Sequence, residues 1–271
     1  MHRQRVLTAL ILLPIVLMGL LFGGKAFFEG LVLVVSLLCL FEFYRMFIPD
    51  RPILCWSGMI LGLVTPVLAI YFEQEVYVLF GLFLVFFFSL LLTLFNYSSL
   101  KDPFGFLCKF CFGSCYIGLC AGLTALVRYM PYGRLWIMFL LLVVFSADTG
   151  AYYIGKTFGK HKLCPAISKG KTVEGALGGL FFGVISALFS WVVFFRFFDA
   201  RLLVPLSVVL VLVSQMGDLA ESIMKRAFGF KDSGQLLPGH GGVFDRVDAL
   251  LLAGPVLFWV LYFSEGNFYG G

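Results

Sequence analysis

Charge is what this sequence has least of. Only 13% of its 271 residues are Asp, Glu, Lys or Arg, against 61% hydrophobic residues that include 33 Phe. An average soluble domain carries about 25% charge and 45–50% apolar residues. The mean hydropathy is +1.00. A fold in water has nowhere to place such a surplus, so several hydrophobic runs must meet lipid. A soluble enzyme with one anchor, a disordered chain and a disulfide scaffold are excluded together. Cysteine is sparse and unpatterned: Cys39 and Cys55 stand alone, while Cys108, Cys111, Cys115 and Cys120 fall in one apolar stretch, where thiols serve as small packing residues. Cys108-x-x-Cys111 has no second pair to complete a metal or redox site. There is no Gly-x-Ser-x-Gly elbow, no His-Glu-x-x-His, no internal repeat and no low-complexity tract.

What the sequence does have is apolar runs of spanning length. A hydrocarbon core needs about 20 residues of helix at 1.5 Å each. That ruler predicts nine spans, near 6–22, 26–44, 53–71, 76–95, 104–126, 134–154, 173–195, 202–223 and 247–263, hence an all-α polytopic membrane protein. The first follows Arg3 and Arg5 as a signal peptide would, but no small-x-small cleavage site precedes Gly23, so it is read as a retained span. With the N-terminus cytoplasmic, nine spans put 15 of the 20 Lys and Arg in inside segments and only Lys25, Arg128, Arg134, Arg196 and Arg201 outside. This is the positive-inside bias of a cell-membrane protein, and it makes the net charge of +5 a topology signal rather than a sign of nucleic-acid binding. The halves differ. Residues 1–130 form about five helices with plain, short loops, whereas 131–271 carry two long polar segments, 155–172 and 224–246, both expected in the cytoplasm.

The chemistry is expected around those segments. Asp218, Glu221, Ser222 and Lys225 fall at i, i+3, i+4 and i+7, one face of the eighth helix. Each ionisable group at membrane depth costs about 2.5–3.5 kcal/mol on insertion scales and normally faces a polar cavity or a partner. A Glu221–Lys225 surface pair would explain two of the four, but not Asp218 one turn deeper. Asp245 and Asp248 share the first turn of the ninth helix, where one acid would suffice to complement the helix dipole. Two acids after a His240-Gly241-Gly242 turn, set against another acidic helix end, read as a hard-cation site whose oxygen donors suit Mg²⁺. His240 lacks the His or Cys partners of a zinc site.

Lys225, Arg226, Lys231 and Arg246 surround the intervening glycines and supply phosphate-binding charge, unless they only meet anionic headgroups. Lys156, Lys160, Lys162 and Lys171 extend that anion-binding rim, and Asp148 is a further acid for the cavity. The formal Gly-x4-Gly-Lys-Thr match over Gly150–Thr157 follows a membrane helix rather than a strand and is not read as a P-loop.

The run Ser222-x-x-Lys225-Arg226-x4-Lys231-Asp232-x5-Pro238-Gly239-His240-Gly241-Gly242-x-x-Asp245-Arg246-x-Asp248 closely resembles the signature of the bacterial-type phosphatidate cytidylyltransferases, the CDP-diacylglycerol synthases. Gln215-x-Gly217-Asp218-x-x-Glu221-Ser222 and Asp148-Thr149-Gly150-Ala151-Tyr152 resemble that family too. Ser168-Lys169-Gly170-Lys171-Thr172 departs from it, since Pro is expected after the Ser; Lys171 and Glu174 still carry over. The D-G-x-x-A-R signature of CDP-alcohol phosphatidyltransferases is absent.

The resemblance implies CTP plus phosphatidate giving CDP-diacylglycerol and pyrophosphate, with Mg²⁺ and a second, monovalent cation. It implies Asp218 and Asp245 as chief cation ligands, with Asp248, Glu221 and Asp148 beside them. Lys225, Arg226, Lys231, Arg246 and Lys171 would hold phosphates, with Ser222 and the His240-Gly241-Gly242 turn shaping the site. The expected setting is the inner, cytoplasmic membrane with the site facing the cytoplasm, in a chain for which a homodimer is open. A CTP-dependent lipid-alcohol kinase is the nearest alternative. A secondary transporter is a more distant one, since transporter sites favour the midplane of repeated halves.

Overall fold

The computed structural model describes residues 18–196, 198–236 and 241–264. Eight helices among them are long and apolar enough to cross a membrane, and the protein is an all-α polytopic membrane protein. The ends of each lie within four residues of an expected span. Of the first expected span, residues 18–22 are helical and 6–17 lie outside the described residues.

The chain divides into two compact units. The first comprises residues 1–130 and 228–246. Its helices are α1 (Gly24–Phe47), α2 (Pro52–Phe72), α3 (Glu75–Phe95) and α4 (Pro103–Val127), with a single 3₁₀ turn at Tyr97–Ser99. Pro52 and Pro103 occupy first-turn positions, where the missing N–H costs nothing. Asp102 caps α4 by accepting from the Gly105 N–H at 2.9 Å. α2 packs against α1, α3 and α4, and α4 also meets α1 and α3.

The core of this unit is aromatic and hydrogen-bonded. The Tyr44 hydroxyl donates to the Phe110 carbonyl at 2.7 Å and lies 2.5 Å from Ser114 Oγ, which in turn reaches the Gly58 carbonyl at 3.1 Å. Gly118 is required by close approach, because a Cβ there would sit 2.6 Å from the Gly62 carbonyl oxygen of α2. Small residues do this work between membrane helices, where lipid supplies no hydrophobic drive. α3 is the most lipid-like face, with Leu79, Phe80, Phe83, Phe86 and Phe87 exposed.

Partners meet end to end, as alternating spans require. Lys25 pairs with Glu73 at 3.8 Å and covers the Tyr129 ring, and Tyr129 O–H donates to Glu29 at 2.8 Å. Burial, then the bond to Glu29, pushes the Tyr129 phenol above its ordinary pKa. Arg51 meets Ser99 where α1–α2 and α3–α4 turn.

The second unit comprises residues 131–227 and 247–271. It contains α5 (Gly133–Phe158), a hairpin of β1 (Lys162–Cys164) and β2 (Ser168–Thr172), α6 (Val173–Val193), α7 (Ala200–Ala227), and all but the first three residues of α8 (Phe244–Phe263). α5 runs along α6, and α7 packs on both. The strands pair antiparallel, Lys162 opposite Thr172 and Cys164 opposite Ser168. Thr172 then caps α6 by accepting from Gly175 N–H at 3.1 Å. Trp136, Phe139, Phe195 and Phe198 cluster around the start of α5.

Two local features complete the fold. The polar segment 155–172 holds a turn of α5 and a short hairpin, so Gly150–Thr157 is helical throughout and forms no phosphate loop. Residues 228–246 belong to the first compact unit. Phe228 packs on Phe43 and Phe47, and Glu42 binds Ser233, Val243 and Phe244.

Candidate active site

Within the second unit, α7 and α8 bring three acids together. Asp218 and Glu221 stand one turn apart on α7, and Asp248 projects from the start of α8. One carboxylate oxygen from each lies within 4.8 Å of the other two. Gly217 makes this meeting possible, because a Cβ there would come within 2.5 Å of the Asp248 carbonyl oxygen. Any other residue would push α8 away from α7.

Two lysines attend the acids. Lys171 on β2 reaches Asp218 Oδ2 at 2.7 Å, and Lys225 reaches Glu221 Oε2 at 2.5 Å, one turn along α7. Glu221 is fully buried, its side chain 0% exposed, whereas Asp218 is 41% exposed. The cluster therefore has a closed floor and an open mouth. Asp148 on α5 adds its field to Asp218 and Asp248. Like charges held this close favour a bound cation, and the set offers only oxygen ligands. Ser222 is buried beside Glu221, and Arg226 extends outward to the Ile167 carbonyl at 3.4 Å. The hairpin is pinned by Glu174, whose carboxylate accepts from the N–H groups of Lys160 and His161 and meets His161 Nδ1 at 2.6 Å.

The other expected residues lie in the first unit. Asp245 Oδ2 accepts from the backbone N–H of Ser233 and of Gly242, both at 3.0 Å. Gly241 takes φ +84°, a left-handed conformation natural to glycine, and turns its neighbour's N–H toward Asp245. Lys231 and Arg246 are exposed. His240 lies outside the described residues.

Glu42 was missed. Buried at 2% exposure on α1, it accepts from Ser233 Oγ at 2.8 Å and from the N–H groups of Val243 and Phe244 at 2.9 Å each. The signal was available: a single acid inside the apolar run Ser36–Phe43 is costly unless partnered.

The fold and this site define a membrane-embedded enzyme built around an acidic cluster capable of holding a metal ion. Known proteins narrow the class. The description of the cytidylyltransferase family matches residues 3–264. The phosphatidate cytidylyltransferase of Bacillus subtilis (strain 168) is 33% identical over 274 residues, covering 96% of this chain and 97% of that protein. That of Staphylococcus saprophyticus is 44% identical over 168 residues, 60% of this chain and 64% of that protein. That of Staphylococcus aureus (strain COL) is 42% identical over 160 residues, 58% and 60% respectively. The chain belongs to the cytidylyltransferase family and is a nucleotidyltransferase of the membrane.

Proposed function

We propose that the chain transfers the cytidylyl group of CTP to phosphatidate, yielding CDP-diacylglycerol and pyrophosphate for phospholipid synthesis. The observation that carries this reading is the convergence of Asp218, Glu221 and Asp248 within 4.8 Å, flanked by Lys171 and Lys225, in a chain of this family. The donor set fits Mg²⁺: hard carboxylate oxygens from two helices, with an open mouth for water and phosphate oxygens. Asp218, Glu221 and Asp248 would hold the ion, with Asp148 as a fourth acid and a monovalent cation as second occupant. Bound there, Mg²⁺ supplies positive charge against the repulsion between two anionic substrates.

The chain's own residues do the rest. Phosphatidate carries a phosphate monoester with a second pKa near 6, so its oxygen is already a nucleophile at neutral pH. It attacks the α-phosphorus of CTP, and the bond to pyrophosphate breaks. No protein nucleophile or strong base is needed. Lys171 and Lys225 orient the carboxylates in the resting enzyme and stand ready to share their charge with phosphate oxygens. Arg226 would be a further phosphate contact, and the family signature implies the same role for Lys231 and Arg246. Asp245 orders the Gly241-Gly242 turn, and Asp248 is read as the third carboxylate of the cation site. The site and the N-terminus face the cytoplasm of a bacterial cell membrane, as the 15-to-5 distribution of Lys and Arg supports. A homodimer is the assembly to seek by size in detergent.

The test is incubation of purified protein with CTP, Mg²⁺ and phosphatidate. Equal amounts of CDP-diacylglycerol and pyrophosphate are expected. Release of CDP without CDP-diacylglycerol would replace this reading with a CTP-dependent lipid kinase.

A further inference from the structure

The first unit contains a cavity of about 500 Å³ that the cytidylyl-transfer reading does not use. It lies where α1 ends, α2 begins and α4 begins, beside the 3₁₀ turn. Its charged lining consists of Arg51, Lys101, Lys109 and Asp102, and its apolar wall of Phe47, Ile48, Leu100 and Phe106. Three cations therefore face one acid.

That acid is committed elsewhere, since Asp102 caps the first turn of its own helix through Gly105 N–H. Among the described residues the Arg51 guanidinium bonds neutral acceptors, the Ser99 hydroxyl and carbonyl, which orient it without offsetting its charge. Among the described residues neither Lys101 nor Lys109 meets a carboxylate. Lys109 is the more telling. It stands nearly two turns inside the membrane-spanning helix α4, where a cation is costly, and its ammonium lies 5.9 Å from the Phe47 ring centroid. A lysine at that depth reaches toward the interface, and here it reaches into the cavity.

We propose that this cavity binds the phosphate headgroup of an anionic membrane lipid. Arg51, Lys101 and Lys109 receive the phosphate, and Phe47, Phe106, Leu100 and Ile48 cover the glycerol and upper acyl carbons. The two halves of the lining match the two halves of such a ligand. A soluble phosphate shares the headgroup chemistry but leaves the apolar wall without a partner, which favours the lipid. The site is separate in sequence from the acidic cluster and stands whether or not the proposed reaction is correct.

Native mass spectrometry of the full chain, released from micelles containing phosphatidylglycerol or phosphatidylcholine, tests this. The expected result is preferential retention of one phosphatidylglycerol, unaffected by millimolar inorganic phosphate or CTP. The double variant Lys101→Gln/Lys109→Gln should lose roughly tenfold to thirtyfold in bound fraction, the scale set by two cations at an anionic surface. Lys101→Arg/Lys109→Arg should retain binding, which separates lost charge from lost fold. Equal retention by the Gln variant overturns the proposal. Complete displacement of the lipid by inorganic phosphate or CTP overturns it in favour of a soluble phosphate.

Discussion

Glu42 and Glu221 are the same residue type, each deeply buried in a membrane helix, one in each unit. Their partners differ in kind. Glu42 is met by neutral donors, two backbone N–H groups and one hydroxyl, all from residues 233–244. Glu221 is met by the Lys225 ammonium and by two more carboxylates within 4.8 Å. A carboxylate encircled by N–H donors is satisfied and fixes a chain segment. One crowded against its own sign stores a demand for positive charge. Burial alone says nothing about role. The sign and kind of the surrounding groups decide it, and substitution should separate the two cases.

The largest effect is expected in the acidic cluster. Asp248→Asn or Asp218→Asn should lower CDP-diacylglycerol formation by roughly a thousandfold, the scale of removing a principal electrostatic contact from a transition state. Thermal stability should hold or rise, because neutralising one of three adjacent carboxylates relieves repulsion. A parallel fall in melting temperature and activity would erase the distinction between the units.

Glu42→Gln should do the reverse. The amide keeps one acceptor but turns an NH₂ toward donors, so at least one hydrogen bond to a charged group is lost. That costs about 2 kcal/mol, read as an earlier thermal or denaturant midpoint. Activity should fall by a smaller factor than for Asp248→Asn, through loosening of Ser233, Val243 and Phe244. Asp245→Asn belongs between them. Asparagine retains an acceptor for Ser233 and Gly242, so a roughly tenfold loss with an unchanged Mg²⁺ requirement is expected. A shift in the Mg²⁺ concentration needed for half-activity would instead return Asp245 to the cation ligands.

How far the sequence alone reaches follows from the range of each interaction. The spans were legible because 18 or more apolar residues in a row leave one physical choice. Asp218, Glu221 and Lys225 were legible because helical spacing is local and charge in that setting is rare. Asp245 and Asp248 were legible as two acids of one helix turn, but the hydrogen bonding that distinguishes them was not. Both sit in one turn, and what separates them is the pair of N–H donors that Ser233 and Gly242 offer to Asp245. The attachment of residues 228–246 to the first unit was invisible for a stronger reason. Glu42 and Val243 are 201 positions apart, and no local pattern encodes such a pairing. The hairpin at 162–172 was hidden by composition, since Lys and Gly are poor strand residues and only closure by Thr172 and Glu174 orders it.

The smallest effect on activity, and the sharpest on topology, comes from two cysteines placed outside both clusters. Gly234 is unsuitable as a probe, because a Cβ there would come within 2.6 Å of Glu42 Oε1 and disturb the clamp. Gly170 has open space around it, on the exposed strand next to Lys171. Gln74 is exposed in the turn between α2 and α3, at the end marked by the Lys25–Glu73 pair. With alternating spans from a cytoplasmic N-terminus, Gly170→Cys should react with a membrane-impermeant maleimide only after the membrane is opened. Gln74→Cys should react in intact cells. Both variants should keep near-normal turnover, so each label reports the position of a working enzyme. Labelling of both from one side would require an odd change in the number of spans between them, and labelling of Gly170→Cys in intact cells would overturn the cytoplasmic placement of the acidic cluster.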